Sequence, residues 1–341
     1  MRLWQIERFE GADGLVAAER PDPSPGPGQV VLRVVANSLN YRDLMVVLGK
    51  YRAPVRPGLI PLSDGAGEVV AVGAGVTRVK PGDKAAAIFH QGWIGGPVNA
   101  DVLRHNLGGS IDGMLAEYVV LSEQGLVKLP SFLSYEEAAT LPCAGVTAWT
   151  SLTGGRPVTA GETVLVQGSG GVSIIALQLA KAMGARVLAI TSSADKAKRL
   201  RELGADLVFD YVAEPDWDKR VLEATGKRGA DRIVEVGGPG TFLKSVKACA
   251  VGGRIAVVGA LSGYQGGVAG TAVDPAHLVA RGITIESITV GSRADFEALC
   301  RAIEAHHVQP VIDREFTFAD APAAFAYFEG RGHFGKVVIS A

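Results

Sequence analysis

Short apolar segments separated by Gly and Pro dominate the first third of the chain. Residues 1–7 alternate like a strand, and the turn 21–28, Pro-Asp-Pro-Ser-Pro-Gly-Pro-Gly, precedes a second strand-like segment at 29–35. Gly-rich strand patterns recur at 65–73 and 116–120. Short strands with frequent turns predict a barrel-like β domain.

Further along, the pattern becomes helical and then alternates. Ser134 followed by Glu137 matches a capping box that opens a helix. From Thr163 onward, short apolar runs alternate with segments that carry apolar residues at helical spacing, at 172–183 and 194–203. The strand candidates are 163–167, 186–190, 206–209, 231–235, 254–259 and 283–288. This alternation predicts a parallel, doubly wound sheet covered on both faces.

The end of the chain holds a helical segment, Ala294–His306, and a terminal strand. Because a six-strand Rossmann unit is complete before them, we assign both to the first domain. The predicted fold class is therefore α/β. A β-barrel substrate domain comprises residues 1–126 and 291–341, and a doubly wound Rossmann domain comprises residues 127–290.

Composition narrows the possible functions. The 341 residues are 48% hydrophobic and 20% charged with a formal net charge of −1, which predicts neither a nucleic-acid nor a membrane-surface partner. The start of the chain has no signal-peptide pattern, and no apolar run approaches the ~20 residues of a membrane span. Three widely spaced cysteines exclude a disulfide framework. We expect a cytoplasmic protein.

A Gly-rich turn, Gly-Ser-Gly-Gly-Val-Ser, joins the first strand of the second domain to its first helix. Gly168 allows the tight turn, Gly170 lets the backbone approach a pyrophosphate, and Ser173 is the small residue needed at the third position. The free N–H groups of the new helix, chiefly those of Gly171 and Val172, would hold the phosphate charge. The turn in this strand–helix setting predicts a nicotinamide dinucleotide site.

The end of the next strand bears on the choice of cofactor. It reads Thr-Ser-Ser, without the carboxylate that an NAD-selective site places at the ribose hydroxyls. Ser192 can bind a 2′-phosphate, and Lys196 lies one helical turn on, although Asp195 opposes both. Alternatively, Ser192 or Ser193 only caps the helix and Lys196 is solvated. NADP(H) is favoured over NAD(H).

Four further motifs accompany the Gly-rich turn. They are Gly-Ala-Gly-Glu-Val-Val at 65–70, Lys-Pro-Gly-Asp-Lys at 80–84, Ala-Ala-Thr-Leu-Pro-Cys-Ala-Gly-Val-Thr-Ala-Trp at 138–149 and Gly-His-Phe-Gly-Lys-Val-Val at 332–338. Together the five motifs resemble the medium-chain dehydrogenase/reductase superfamily over essentially the whole chain. The resemblance implies a GroES-like β domain and a Rossmann domain, with hydride transfer in the cleft between them.

Alcohol dehydrogenases of this superfamily bind a catalytic zinc through Cys, His and Cys. Here the first position falls in residues 39–43, which contain no Cys, and the second holds Ser63. Only Cys143 survives, and one thiol cannot hold a zinc that needs three protein ligands.

The structural zinc lobe of the superfamily would fall at about residues 88–112, which contain no cysteine. His90 and His105 lie there, but two loop histidines are more often surface residues than a metal site. We expect no zinc and no other metal.

Zinc-free members resemble quinone or enone reductases, in which the enzyme need only bind and polarise the carbonyl oxygen. The resemblance suggests that Asn40 orients the substrate or the nicotinamide ribose and that Tyr41 donates a hydrogen bond or a proton. Arg42 and Asp64 complete the candidate catalytic set. Alternatively, Arg42 forms a structural ion pair with Asp43 or Asp64, and Tyr41 fills the core of the β domain.

The remaining cofactor contacts implied by the resemblance lie mostly in turns that follow strands. Each could equally be an ordinary strand-end turn, although such turns meet at the ligand crevice of this fold. They are Thr147 at the nicotinamide, Tyr211 near the adenosine phosphate, Gly237 under the adenine ribose, Val258 and Gly259 at the carboxamide, and Phe334 and Lys336 in the C-terminal turn that closes on the cofactor.

Three functions remain open. The leading one is NADPH-dependent reduction of a quinone or α,β-unsaturated carbonyl without zinc. The second is a zinc-free alcohol dehydrogenase or ketone reductase that uses Tyr41 as acid and base. The third is a cofactor-binding protein with little turnover, structural or sensory.

Two further expectations concern a loop and an edge strand. In the loop 90–96, Trp93 is either an exposed aromatic lid or a buried anchor. The β-rich segment 282–288 should lie at the open edge of the Rossmann sheet, and a bare edge of this kind favours pairing into a homodimer.

Overall fold

The computed structural model describes residues 1–51, 53–259, 261, 273 and 275–340, and the chain divides into two compact units. Unit one comprises Met1–Val146 and Val290–Ala341, and therefore contains both chain ends. Unit two comprises Thr147–Thr289.

Strands occupy much of both units. In chain order they are β1 (Arg2–Ile6), β2 (Leu15–Glu19), β3 (Gln29–Ser38), β4 (Asp64–Val72), β5 (Lys84–Ala87), β6 (Tyr118–Ser122), β7 (Leu126–Lys128), β8 (Thr163–Gln167), β9 (Arg186–Thr191), β10 (Leu207–Asp210), β11 (Ala230–Glu235), β12 (Cys249–Val257), β13 (Thr284–Ser287), β14 (Ile312–Thr317) and β15 (Lys336–Ser340).

The helices range from four to fourteen residues in length. They are α1 (Tyr41–Val47), α2 (Ala100–Leu103), α3 (Tyr135–Ala139), α4 (Val146–Thr153), α5 (Gly171–Ala182), α6 (Ala194–Glu202), α7 (Trp217–Ala224), α8 (Phe242–Ala248), α9 (Pro275–Arg281), α10 (Arg293–His306) and α11 (Ala321–Glu329). Among the described residues, no helix is long and apolar enough to span a membrane.

Unit one is built around a sheet with strand order β14-β15-β3-β4-β5-β7, in which β6 also pairs with β3. The long strand β3 is mostly buried along its length, since it has sheet neighbours at both edges and helices over it. Gly67 permits the close approach of β4, because a Cβ atom there would lie 2.0 Å from the carbonyl oxygen of Arg33. The predicted β domain with short strands and Gly-rich turns is confirmed.

Unit two is a parallel sheet with the order β10-β9-β8-β11-β12-β13. The order reverses direction between β8 and β11, which is the doubly wound Rossmann arrangement. Buried Leu165, Ile190, Ile233 and Ile255 face its core. The predicted Rossmann fold is confirmed, and the ends of β8 and β11 mark its switch point.

Most predicted strands of unit two agree with the structure within one or two residues, but β12 begins at Cys249 instead of 254. Gly252 and Gly253 look like a turn in the sequence, whereas the structure carries them inside the strand. The pairing between β11 and β12 shifts register between Ala230 and Arg232, so β12 accommodates this irregular stretch without ending.

Residues 127–146 lie in unit one, so the first boundary falls later than the residue 126 that the sequence suggested. β7 pairs with β5, and α3 packs on β3 and β4. The predicted capping box is present: Ser134 Oγ accepts from the amide of Glu137, whose carboxylate accepts from the amide of Ser134. These contacts attach the segment to the β domain.

Candidate active site

A buried polar cluster forms where three elements of unit one converge. Ser38, at the end of β3, is paired with Asp64 at the start of β4 on one side and with Val338 of β15 on the other. Asn40 follows β3 directly and is the N-cap of α1. Sheet register therefore brings Asn40, Asp64 and Lys336 together, although they are far apart in the sequence.

Lys336 is the cation of this cluster. Its Nζ donates to the carbonyl oxygen of Leu39 at 2.6 Å and to Oδ1 of Asn40 at 2.7 Å, and it lies 3.8 Å from Oδ2 of Asp64. The residue is 2% exposed. The sequence predicted Lys336 as a cofactor contact, whereas its ammonium group is engaged inside unit one.

Asp64 is the anion of the cluster and is fully buried. Its Oδ2 accepts from Nδ2 of Asn40 at 2.8 Å and faces Ser38 Oγ at 3.1 Å, and its Oδ1 accepts from Ser63 Oγ at 3.0 Å. Burial raises the pKa of Asp64, while the charge of Lys336 opposes that rise. Burial likewise lowers the pKa of Lys336, and Asp64 opposes it. The carboxylate of Asp64 and the ammonium group of Lys336 therefore stabilise each other's charged form in this buried site.

Cys143 lies beside this cluster in a π-helical turn, Leu141–Gly145. Burial, and then the negative charge of Asp64, raise the pKa of its thiol well above the usual value. Burial and the neighbouring carboxylate thus favour the neutral thiol over the thiolate. The described residues contain no group of three or more His, Cys, Asp or Glu side chains arranged to hold a metal ion.

The guanidinium group of Arg42 is hydrogen-bonded to the loop that follows α2. Its Nη1 donates to the carbonyl oxygens of Leu107 at 2.8 Å and Gly108 at 3.1 Å, and its Nη2 donates to Oδ1 of Asn106 at 2.8 Å. Nη1 also lies 3.1 Å from the buried carboxylate of Asp43. Burial alone would lower the pKa of Arg42, but Asp43, Tyr51 and Cys143 together outweigh burial and the pKa is raised.

Two rings enclose the same guanidinium group, with Tyr51 and Phe89 centred 4.8 and 5.0 Å from it. Of the two structural pairings that the sequence left open for Arg42, the structure shows the one with Asp43. Its donor groups point to loop carbonyls, so a direct role for Arg42 on substrate finds no support in this geometry.

Tyr41, the first residue of α1, is partly exposed. Its hydroxyl lies 3.4 Å from Nη2 of Arg331, whose guanidinium carbon is 5.6 Å from the centre of the tyrosine ring. The side chain packs against the core of unit one with one face. The structure therefore shows the core packing of Tyr41, and the role of its hydroxyl toward a substrate stays a prediction.

The loop predicted as a possible lid is anchored by its indole. Trp93 is 9% exposed, and its Nε1 donates to the carbonyl oxygen of Gly96 at 2.9 Å. Its ring packs edge-on against His90, which in turn packs against Phe89. The buried-anchor alternative thus describes Trp93, and the exposed-lid alternative is wrong.

His90 is a core residue and not the surface residue that the sequence suggested. Burial, and then the neighbouring charge of Arg42, lower the pKa of His90 to about 4, so the imidazole is neutral. His105 is exposed and contacts the carbonyl oxygen of Asp101 at 3.2 Å.

In unit two the Gly-rich turn has the geometry of a phosphate cradle. Gly168 has a φ of +75°, and Gly170 is the N-cap of α5. A Cβ atom at either glycine would meet nothing within 4 Å, so the backbone is open to an approaching ligand. Ser173 Oγ donates to the carbonyl oxygen of Gln167 at 2.5 Å, which fastens the helix to its strand. The backbone N–H groups of Gly171 and Val172, at the first turn of α5, fit a pyrophosphate.

The two serines after β9 have different positions. Ser193 is the N-cap of α6, and its Oγ accepts from the amide of Lys196 at 3.3 Å. Ser192 is exposed, and Lys196 is partly exposed one turn into the helix. The exposed Tyr211 lies nearby, since its amide donates to the carbonyl oxygen of Thr191. Capping thus accounts for Ser193 but leaves Ser192 available to a ribose or its phosphate.

Glu235, at the end of β11, is a buried residue that the sequence analysis did not single out. Its Oε1 accepts from the amides of Gly237 and Gly238 at 2.9 Å each and from Thr241 Oγ1 at 2.5 Å. Its Oε2 accepts from Gln167 Nε2 at 2.7 Å and from Ser245 Oγ. The sequence did contain a signal for this residue, because an acidic side chain at the C-terminal end of a central parallel strand lies at the ligand crevice of this fold.

Gln167, at the end of β8, completes this network. Its Oε1 accepts from the amides of Val236 and Gly237 at 3.3 Å. The two side chains therefore join neighbouring strand ends at the switch point. They fix the turn that contains Gly237, one of the predicted cofactor contacts.

The other predicted cofactor residues lie in different settings. Thr147 is buried in α4, and its carbonyl oxygen accepts from Ser151 Oγ. Val258 and Gly259 follow β12, and the amide of Val258 donates to the carbonyl oxygen of Glu235 at 2.8 Å. Phe334 is 2% exposed, so its ring belongs to the core of unit one.

A Gly-rich phosphate cradle on a Rossmann sheet, together with a GroES-like β unit, defines a two-domain oxidoreductase. Family models agree: one described as alcohol dehydrogenase GroES-like domain matches residues 26–131, and one described as zinc-binding dehydrogenase matches residues 171–305. The chain belongs to the medium-chain dehydrogenase/reductase superfamily.

Three similar proteins illustrate the range of this family. A zinc-type alcohol dehydrogenase-like protein of Schizosaccharomyces pombe is 36% identical over 98% of this chain and 97% of its own. A quinone oxidoreductase of Pseudomonas aeruginosa is 31% identical over 98% of both. The crystal structure of an NAD-dependent alcohol dehydrogenase is 36% identical, covers both chains fully and has a TM-score of 0.89.

Proposed function

We propose that this oxidoreductase is a zinc-independent, NADPH-dependent reductase of quinones or α,β-unsaturated carbonyl compounds. The observation that carries the proposal is the composition of the buried cluster. The superfamily's first zinc-ligand position falls in residues 39–43, which include Asn40 but no cysteine, and the other two positions hold Ser63 and Cys143. The ammonium group of Lys336 is hydrogen-bonded to Asn40.

These residues do not fit a zinc ion. Zinc prefers three or more thiolate, imidazole or carboxylate ligands, and these positions offer an amide, a hydroxyl and a single thiol. The ammonium group of Lys336 adds a positive charge that would repel the metal at this place. The zinc-type and zinc-binding descriptions therefore belong to the family and not to this cluster.

Reduction of a conjugated carbonyl suits a site without a metal. The nicotinamide supplies the hydride when it is bound. The chain's own residues then need to bind the carbonyl oxygen and favour the negative charge that develops on it. Asn40 offers an amide N–H for this purpose, and the nearby Lys336 adds positive potential. The oxygen can take up its proton from Tyr41 or from water.

A second candidate is reduction of saturated ketones, with the reverse oxidation of alcohols. The observation in its favour is the partly exposed hydroxyl of Tyr41 next to Arg331, because a phenol beside a cation can act as a proton donor and acceptor. In this case Tyr41→Phe should abolish most of the turnover, whereas an enone reductase should lose much less.

A substrate panel tests the proposal. Quinones, enones, saturated ketones and alcohols are followed by nicotinamide absorbance with both cofactors, and the protein is analysed for bound metals. We expect turnover of quinones or enones that survives strong chelators, with far less than one zinc per chain. One zinc per chain and loss of activity on chelation would disprove the zinc-free mechanism.

Cofactor preference provides a prediction of its own. NADPH should bind more tightly than NADH, because Ser192 meets a 2′-phosphate without repulsion and Lys196 can approach it as a point charge. Lys196→Ala should reduce the ratio of the NADH to the NADPH dissociation constant by about tenfold. This factor corresponds to the ~1.4 kcal/mol expected from the loss of one charge-assisted hydrogen bond. Calorimetric titration with both reduced cofactors measures this.

The matched control for that variant is Lys198→Ala on the same helix. Lys198 is exposed and pairs weakly with Glu202 at 3.9 Å, so its removal should leave the preference unchanged. If the wild type bound NADPH and NADH with equal affinity, Ser192 and Ser193 would only cap α6 and would not select the cofactor.

Assembly into a homodimer is also expected. β13 is the last strand of the unit-two sheet, and among the described strands it pairs only with β12. Ile285 on β13 is 38% exposed, so the free edge offers apolar surface together with unpaired backbone groups. Light scattering should give twice the chain mass of 35.5 kDa. Ile285→Lys should shift the protein toward monomer, and a wild-type monomer would refute the pairing.

A further inference from the structure

The side-chain amide of Asn40 has only one orientation that satisfies its surroundings. An amide presents an acceptor oxygen on one side and a donor NH₂ on the other. Lys336 Nζ lies 2.7 Å from Oδ1, and Asp64 Oδ2 lies 2.8 Å from Nδ2. Rotating the amide by 180° would place NH₂ against an ammonium group and an oxygen against a carboxylate. Both hydrogen bonds would be lost.

The two groups on either side of the amide are themselves fixed. Lys336 also donates to the carbonyl oxygen of Leu39, and Asp64 also accepts from Ser63 Oγ. Both are almost completely buried. The side-chain amide of Asn40 is therefore oriented before any ligand binds. Ligand binding then carries no entropy cost for ordering this side chain.

This arrangement leaves one donor of Asn40 unused. The bond to Asp64 takes one of the two Nδ2–H groups, and within the described part of the chain no hydrogen bond from the second is found. Asn40 is 8% exposed, so a ligand that reaches this N–H also excludes water from it. A fixed donor in a water-poor site favours charge developing on an oxygen.

We propose that Lys336 and Asp64 are positioning residues that hold Asn40 with its second N–H directed at the carbonyl oxygen of the substrate. The inference rests on the proposed reductase function. It assigns Lys336 a role inside unit one, in place of the cofactor contact that the sequence suggested. The ammonium group of Lys336 acts on the substrate through Asn40.

A paired substitution tests this without leaving a buried charge alone. Lys336→Met by itself would strand the carboxylate of Asp64 and could unfold the unit. In Lys336→Met/Asp64→Asn both charges are removed, and the new amide at 64 can either donate to or accept from Asn40. Both orientations of Asn40 then become possible.

We expect this pair to lower kcat by at least about tenfold while NADPH affinity changes less than about twofold. Asn40→Ala alone should lower kcat by a similar factor, and adding it to the pair should have little further effect. The control is Lys128→Met/Asp83→Asn, which removes a partly exposed ion pair of 2.8 Å from the same unit and should leave kcat unchanged.

A readout without substrate is available because the chain has only four asparagines. With ¹⁵N-labelled asparagine, the amide protons that disappear in Asn40→Ala are those of Asn40. In the wild type the chemical shifts of the two Nδ2 protons of Asn40 should be well separated. In Lys336→Met/Asp64→Asn both shifts should move toward those of a free amide.

Unchanged amide shifts in the pair, unchanged kcat, or losses that simply add to those of Asn40→Ala would each overturn the positioning role. Failure of the proposed function looks different. If the wild type reduces ketones but neither quinones nor enones, the substrate class is wrong, and the same cycle is measured with ketones. If it reduces nothing, the amide shifts still decide whether Lys336 and Asp64 orient Asn40.

Discussion

Replacing Arg42 by alanine is expected to lower the free energy of unfolding of unit one by about 3–5 kcal/mol, the usual result of removing one partner of a buried ion pair. The carboxylate of Asp43 would be left buried without its positive neighbour. The carbonyl oxygens of Leu107 and Gly108 would also lose their donor. Calorimetric or chemical unfolding measures the change.

Arg42→Lys should recover only part of this stability. A single ammonium group cannot reproduce the planar fork that reaches Asn106 and the loop carbonyls at once, nor stack between two rings. Arg8→Ala is the control, since Arg8 forms an exposed pair with Glu10 and should change stability by no more than about 0.5 kcal/mol. If Arg42→Ala kept its stability and lost turnover, Arg42 would act on the substrate after all.

The second large effect is expected for Glu235→Ala in unit two. This variant would leave the amide of Gly238 without its acceptor and would remove one of two acceptors from the Gly237 amide, Thr241 Oγ1 and Gln167 Nε2. A buried donor without a partner costs about 1–3 kcal/mol. We expect the unfolding free energy of unit two to fall by at least about 3 kcal/mol. Cofactor affinity should fall too, because the turn with Gly237 loses its anchor.

Glu235→Gln separates the two effects. It keeps the size of the side chain and one acceptor oxygen, so Gly237 and Gly238 stay bonded, but its NH₂ opposes that of Gln167. Stability should fall by less than in Glu235→Ala, and cofactor affinity should be largely retained. Glu202→Ala, at the exposed end of α6, is the control. Full stability of Glu235→Ala would show that water satisfies the turn in place of the carboxylate.

Although the edge strand β13 is mostly exposed, the Rossmann unit could be predicted from the sequence because its strands β8 to β11 are largely buried. Such strands are continuous apolar runs, and five of the six have bounds close to those predicted. The exception is β12, whose two inner glycines carry no apolar signal. Helices α7, α8 and α9 were not predicted, since their apolar residues are few and mixed with charges.

The candidate site could be predicted only in part. Asn40, Tyr41 and Asp64 stand in short motifs that the superfamily resemblance points to. The partners that orient them depend on sheet register, because Lys336 reaches Asn40 only through the pairing of β15 with β3. No local pattern encodes that pairing. Arg42 shows the same limit, since its partners belong to a loop more than sixty residues away.

The position of Lys336 in the final strand has a consequence for synthesis on the ribosome. Unit two is one continuous segment, so it can fold as soon as it has emerged. Unit one must wait, because β15 inserts between β14 and β3 and brings the last charge to Asp64. Until then Asp64 is a carboxylate without its cation, and the apolar edge of β3 is exposed. The nascent chain is therefore most prone to aggregation after unit two has folded and before β15 has emerged.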